Sequence, residues 1–259
     1  MNELRDMIWV ELRKAIRSRM PLWTTLGALF MPLGMAGLIL LAKNAETAQN
    51  LGLISDKANL VSYAATDWSS YLGLSAEIIS AGGFFFFIIA ISWIFGREFV
   101  DGTLKDMLAV PVPRGSILVA KFIVAAAWSA VTALIMIIFS LAAGAILHLS
   151  GGSLPIILHG ISVAGVSACL VIVVSLPFSF FASLGRGYIL PMALAVLTLI
   201  TANLMMIVGW AAYFPWAVSI LYSQGDASLV AASYWILAIT SLAGMLATYL
   251  WRKYADQAR

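Results

Sequence analysis

Gly96-Arg-Glu-Phe-Val-Asp-Gly-Thr-Leu-Lys-Asp-Met-Leu-Ala-Val-Pro-Val-Pro-Arg114 is a short charged island between two long apolar runs, about 72–95 and 117–147. Thr103 and Asp106 stand three apart, the spacing of a helix capping box. Leu104, Met107 and Leu108 then share one helical face, with Lys105 and Asp106 turned away. Pro111 and Pro113 stop the helix, because each lacks a backbone donor and restricts the residue before it. Two readings fit this pattern. In one, residues 101–110 form an amphipathic helix across the end of a membrane hairpin and press on a soluble partner. In the other, the island is a charged loop that anchors two spans.

The composition requires a membrane for either reading. The chain is 62% hydrophobic and 10% charged, against about 45–50% and about 25% in a soluble domain. At 259 residues it has room for one bundle, since each span takes about 20 residues. The expected fold is an all-α integral membrane protein in a single domain. Its six transmembrane helices are placed at about 22–42, 72–95, 117–147, 156–184, 188–212 and 229–251. The lone cysteine, Cys169, excludes an internal disulfide and a cysteine metal cluster, and fits a small packing residue. No stretch is polar and basic enough to bind nucleic acid, and the N-terminus lacks the pattern of a cleavable signal.

Before the first span, Leu4, Met7, Ile8, Leu12, Ala15 and Ile16 recur at three and four, ringed by Arg5, Arg13, Lys14, Arg17 and Arg19. Residues 1–20 therefore read as an interfacial helix with its basic groups near anionic lipid. Pro32, Gly34 and Gly37 lie inside the first span, where they allow a kink or a close helix contact. Trp68 and Tyr71 close the following polar connection, as aromatic residues do at a membrane interface. Phe84 to Phe87 cover every side of one helical turn and so face lipid and neighbouring helices alike. Six spans put both termini on one side. Thirteen of the fifteen lysines and arginines fall in the N-terminal segment, the 97–121 region, the 185–187 turn and the tail, leaving Lys43 and Lys57 opposite. That asymmetry assigns the termini, the island and the tight turn to the cytoplasm.

No catalytic set is evident. Leu149-Ser-Gly-Gly-Ser153 looks like the opening of an ATPase signature loop, but it lies between two spans and the chain has no phosphate loop, so it reads as a turn. His148 and His159 flank that turn with no carboxylate near them in sequence, and no metal site is expected. Glu77 and Asn203 stand out among the polar residues within the apolar runs. Glu77 lies about a turn inside its span, placed either to snorkel to the interface or to meet a substrate. Asn203 bonds a neighbouring helix or lines a polar path.

With these features assembled, the chain resembles the permease subunits of type-2 ATP-binding-cassette exporters, including the bacitracin-resistance and lantibiotic-immunity permeases. The resemblance rests on the basic N-terminal helix, Glu98 with Gly102-Thr-Leu-Lys105 and Pro111-Val-Pro-Arg114, Leu118-Val-Ala-Lys-Phe122, the six spans, and Tyr213-Phe-Pro-Trp216 before the last span. It implies that two permease chains pair, as a homodimer or heterodimer, over two cytoplasmic ATPases encoded separately. ATP and magnesium would then be bound by the ATPase and no cofactor by this chain. Residues 101–110 would be the coupling helix seated in a groove of the ATPase. Its contact and hinge residues would be Arg97, Glu98, Asp101, Gly102, Thr103, Leu104, Lys105, Met107, Leu108 and Arg114, with Arg97 and Glu98 at the hinge.

The resemblance also implies short re-entrant helices at 213–228, a bacterial inner-membrane location and export of a hydrophobic or amphipathic substrate, such as a peptide antibiotic, drug or lipid-like molecule. Glu77 and Asn203 are the candidates for the substrate path. The same residues would also serve a non-transport anchor or sensor that recruits an ATPase or signalling partner.

Overall fold

The computed structural model describes residues 2–43, 67–103 and 112–254. In chain order they form α1 (Asn2–Arg17), α2 (Met20–Lys43), α3 (Trp68–Ile78), a π-helical turn (Ile79–Gly83) and α4 (Phe84–Val100). Next come α5 (Arg114–Ile146), α6 (Leu154–Ser175), α7 (Phe178–Leu184) and α8 (Ile189–Val208). A 3₁₀ turn (Ala211–Tyr213), α9 (Val218–Ser223) and α10 (Ala231–Tyr254) complete the chain. Six stretches are long and apolar enough to cross a bilayer: Met20–Leu41, Trp68–Val100, Arg114–Ile146, Leu154–Leu184, Ile189–Val208 and Ala231–Tyr254. The fold is all-helical with six candidate spans. The coupling segment centred on Leu104, Lys105, Met107 and Leu108 lies outside the described residues.

Local chemistry sets where these helices begin and end. Asp67 caps α3: its Oδ2 accepts from the Ser69 and Ser70 amides at 3.1 and 3.3 Å, and its Oδ1 from the Ser70 hydroxyl at 2.7 Å. The second span therefore starts at Trp68, earlier than hydropathy suggests. α5 starts directly after Pro113, and Pro177 separates α6 from α7. The fifth span stops at Val208, because Gly209 turns left-handed at φ 82°. Of residues 209–212, expected inside that span, Gly209 and Trp210 lead into the 3₁₀ turn and Ala211 and Ala212 belong to it.

The Ser70 hydroxyl holds the Asp67 carboxyl below the usual carboxylate range. Because the folded pKa is depressed, this cap stabilises the protein above that range and is lost as pH falls through it. Asp67→Ala should cost about 1 kcal/mol at neutral pH. Asp67→Asn should keep most of the cap and flatten the acid limb of the wild-type stability profile. Thermal unfolding at pH 7 and below pH 4 measures both effects.

The second span is the axis of the bundle. Of its apolar window 67% is buried, against 17% in α8 and 22% in α10. The main core gathers Phe84, Phe87, Ile91 and Phe95 of α4 with Val124 and Trp128 of α5, Val171 of α6 and Phe178 of α7. A second cluster sits at the end where Lys43 donates to the Leu147 carbonyl at 2.8 Å. Trp68 and Tyr71 belong to that cluster. They were expected as interfacial aromatics, but both are buried, and the Tyr71 hydroxyl donates to the Ser140 carbonyl at 2.9 Å. Cys169, expected to pack, is exposed on α6.

Two glycines are required by close approach. A Cβ on Gly96 would lie 2.9 Å from the backbone of Gly187, so this position lets the 185–188 turn seat against α4. A Cβ on Gly244 would lie 2.6 Å from Pro177 Cα, so α10 nests into the bend between α6 and α7.

The single apolar face expected on α1 is split between two directions. Ile8 and Ala15 pack into the bundle, with α5 as the main neighbour of α1. Trp9, Leu12 and Ile16 remain exposed on the outer side, with the Arg13 guanidinium 4.6 Å from the Trp9 ring centre.

Candidate functional site

The end of the bundle that carries α1 holds an ionic cluster buried among five helices. At its centre is Glu98, in the last turn of α4 and 5% exposed. Its Oε1 lies 2.5 Å from Lys121 Nζ of α5 and 4.0 Å from Lys14 Nζ of α1. Charge rather than an aligned hydrogen bond holds that oxygen. The Oε2 atom accepts from Arg252 Nη1 of α10 at 3.2 Å. Lys121 is 1% exposed and also donates to Glu11 Oε2 of α1 and to the Ile94 carbonyl, both at 3.1 Å. Lys14 donates to Glu11 Oε1 at 2.7 Å.

Arg252 completes the set. Its Nε donates to the Ser183 hydroxyl of α7 at 3.0 Å and its Nη2 to the Phe95 carbonyl at 2.6 Å. Its guanidinium lies 5.4 and 5.3 Å from the ring centres of Phe95 and Phe99. Isolated charges could not occupy such a site, since desolvation costs several kcal/mol per ion unless geometry and hydrogen bonds offset it. Here three cations face two carboxylates, and donors are matched to acceptors on α1, α4, α5, α7 and α10. The cluster fixes the relative positions of these helices at the end of the bundle next to the island. Among the described residues no group of three His, Cys, Asp or Glu side chains comes together to hold a metal ion.

The residues singled out in the sequence separate into three groups. Arg97 lies on the half-exposed side of α4, 2.8 Å from Asp101 Oδ2 and over the Trp93 ring at 4.8 Å. The helix breaks at Asp101 and Gly102, where Gly102 has φ 69°. Arg97 and Glu98 are therefore both inside α4, and the break in the helix follows them. Thr103 is exposed and, with Glu11, Lys14, Trp93 and Asp101, lines a cleft of about 400 Å³ over the ion cluster. Arg114 opens α5, with Nη1 3.5 Å from the Lys253 carbonyl. Leu104, Lys105, Met107 and Leu108 lie outside the described residues.

Glu77 and Asn203 belong to a different region. Glu77 faces a groove of about 730 Å³ between α2, the α3–π segment and Leu199 of α8. Asn203 stands one turn beyond Leu199 on α8, exposed, and donates to the Leu199 carbonyl at 2.8 Å. It satisfies its own helix and makes no bond to a neighbouring one among the described residues.

Sequence reading missed Glu11, Lys121, Ser183 and Arg252 as a set. One signal for Glu11 was present: it falls between Ile8 and Ala15, on the face of α1 that packs inward. Lys121 offered another, since it stands seven residues inside a 33-residue helix.

The comparison with known proteins bears on the same residues. An ABC-2 family transporter protein pattern matches residues 7–203, from α1 through most of α8. The chain belongs to this family. The permease is also similar to the bacitracin transport permease protein BCRB of Bacillus licheniformis. They share 24% identity over 171 residues, 65% of this chain and 82% of that protein. The permease is thus a membrane transport subunit, and permeases of the family pair with ATPase subunits. Glu11, Glu98 and Lys121 lie inside the matched stretch, while Arg252 lies beyond it.

Proposed function

We propose that the permease forms half of the membrane portion of an exporter and that the ion cluster transmits ATPase movement into the bundle. The observation that carries this reading is the position of Glu98, one turn before the break that leads into the island and bonded to four elements besides its own through Lys121, Arg252 and their partners. A displacement of residues 101–110 would enter α4, and the buried ions would pass it to α1, α5, α7 and α10 as one body. A cluster that admits a single geometry suits this task better than an apolar contact that can slide.

In this proposal the island is cytoplasmic and docks on the ATPase through Leu104, Met107 and Leu108, flanked by Lys105 and Arg114. ATP and magnesium are bound by that partner. The outer stripe of α1, with Trp9, Leu12 and Ile16 among arginines, supports an interfacial position in the headgroup layer. A second permease chain completes the transporter, and 213–228 caps the outer face. The similarity to a bacitracin transport permease supports an amphipathic peptide antibiotic as substrate and a role in resistance.

Co-purification of the permease with its ATPase tests the docking. Leu104→Asp with Met107→Asp should reduce recovery of the ATPase at least tenfold, because two carboxylates would have to be buried in the contact. Membrane insertion and thermal unfolding of the permease should not change. Full retention of the ATPase by the double variant would refute the docking site.

A further inference from the structure

The groove between α2, the α3–π segment and α8 has one feature that the coupling proposal does not use. Its walls are almost wholly apolar, formed by Phe30, Met31 and Met35 of α2 and by Ile78 and Phe85 of the second span. Glu77 is the sole ionisable group among the described residues that line it. Its carboxylate forms no ion pair or hydrogen bond with any other described residue, in contrast to Glu11 and Glu98.

The depth of each group gives the groove a direction. The second span holds 33 residues, about 50 Å of helix, and exceeds the roughly 30 Å hydrocarbon layer. Glu77 lies nine residues, or about 13 Å, from Trp68, which places it just inside the hydrocarbon boundary of a centred span. Phe85 lies about 12 Å deeper. A carboxylate at the mouth and an apolar trough below it match a molecule with a charged head and an apolar body. The π turn begins two residues after Glu77 and brings Gly82 against Met31, where a Cβ would come within 3.3 Å of Met31 Cγ. Single π turns recur at functional sites, and methionine walls adapt to varied apolar shapes.

We propose that this groove binds an amphipathic cation, with its ammonium or guanidinium on the Glu77 carboxylate and its apolar body between Phe30, Met31, Met35 and Phe85. A carboxylate in a weakly screened environment favours a cation over a neutral analogue of equal hydrophobic area. A neutral acyl chain would fill the trough and leave the carboxylate without a partner, which is costly at that depth. That such a cation is also the transported substrate rests on the transport proposal above; binding itself does not.

The test uses the purified permease alone in phosphatidylcholine nanodiscs, so its outcome is independent of ATPase docking. The probes are dansyl-amidododecylammonium and its N-acetylated neutral counterpart, read by energy transfer from tryptophan with empty nanodiscs subtracted. Wild type should bind the cation about tenfold more tightly than the neutral probe. Glu77→Gln should abolish that preference by weakening the cation alone. Gly34→Leu, at a groove position where a Cβ meets nothing within 4 Å, should weaken both probes. Equal affinities in wild type, or an unchanged preference in Glu77→Gln, would overturn the proposal. Efficient cross-linking between copies through Leu38→Cys in a Cys169→Ser background, together with absent probe binding, would assign the groove to a second chain and overturn it as well.

Discussion

Glu98→Ala should destabilise the permease by about 3–5 kcal/mol, the range for removing one partner from a buried ion pair. The variant leaves Lys121 with Glu11 as its remaining carboxylate, and leaves Arg252 with the Ser183 hydroxyl, the Phe95 carbonyl and two aromatic rings. The three cations of the cluster would then face one anion. Unfolding followed by tryptophan fluorescence in detergent, with the amount of folded chain in the membrane, measures the loss. A second substitution separates charge imbalance from lost packing. Glu98→Ala with Lys121→Met removes a buried charge of each sign and should recover at least half of the lost stability, since an apolar replacement of both partners needs no desolvation. If Glu98→Ala stays within about 1 kcal/mol of wild type, a range typical of exposed pairs, the cluster is not the brace described. On the coupling proposal, an assembled transporter carrying the double variant should show ATP hydrolysis by its ATPase with reduced transport per ATP, because the apolar pair restores the fold without the single ionic geometry.

The second large effect is expected at Gly244. Even one methyl there would lie 2.5 Å from Pro177 Cβ and 2.6 Å from its Cα, and a proline backbone in a helix bend cannot rotate away. Gly244→Ala should cost about 1–3 kcal/mol through overpacking, and Gly244→Val more. The displacement would spread along α10, because Thr248 meets the Ser179 hydroxyl at 2.8 Å and Arg252 meets Ser183 and Glu98 on the same face. Gly34→Ala is the control, a glycine in α2 with open space around its Cβ. It should be neutral or slightly stabilising through helix propensity alone. The difference between the two alanine variants in the unfolding transition isolates the contact. Equal stabilities would show that α10 does not seat in the bend.

The helices were legible because hydropathy and proline position act locally. Long apolar runs gave the six candidate spans, and Pro177 sits where α6 gives way to α7. The ion cluster was not legible, because its partners are distant in sequence and each has an adequate local explanation. Glu98 meets Arg252 across 154 positions, and Lys121 meets Glu11 across 110. Lys121 and Arg252 look like positive flanks of adjacent spans, and Glu11 looks like one charge on a mixed helix. Tyr71 shows the same limit: an aromatic near a span end suits an interface, but α5 covers it. Glu77 was conspicuous as an acid, yet the methionines and phenylalanines around it come from helices whose mutual rotation no local pattern specifies.

The π turn at Ile79–Gly83 has a consequence for the second span as a whole. Such a turn holds one surplus residue, so the stripes above and below it are out of phase by roughly 100°, the angle one residue subtends in an α-helix. The span therefore works as two rods geared at different angles on one shaft. The rod before the π turn aligns Trp68, Tyr71 and Leu72 with the end of α5, while the rod after it aligns Phe87, Ile91 and Phe95 with the main core. On the coupling proposal, a twist applied at Glu98 would therefore reach Glu77 along a different azimuth from the one on which it began.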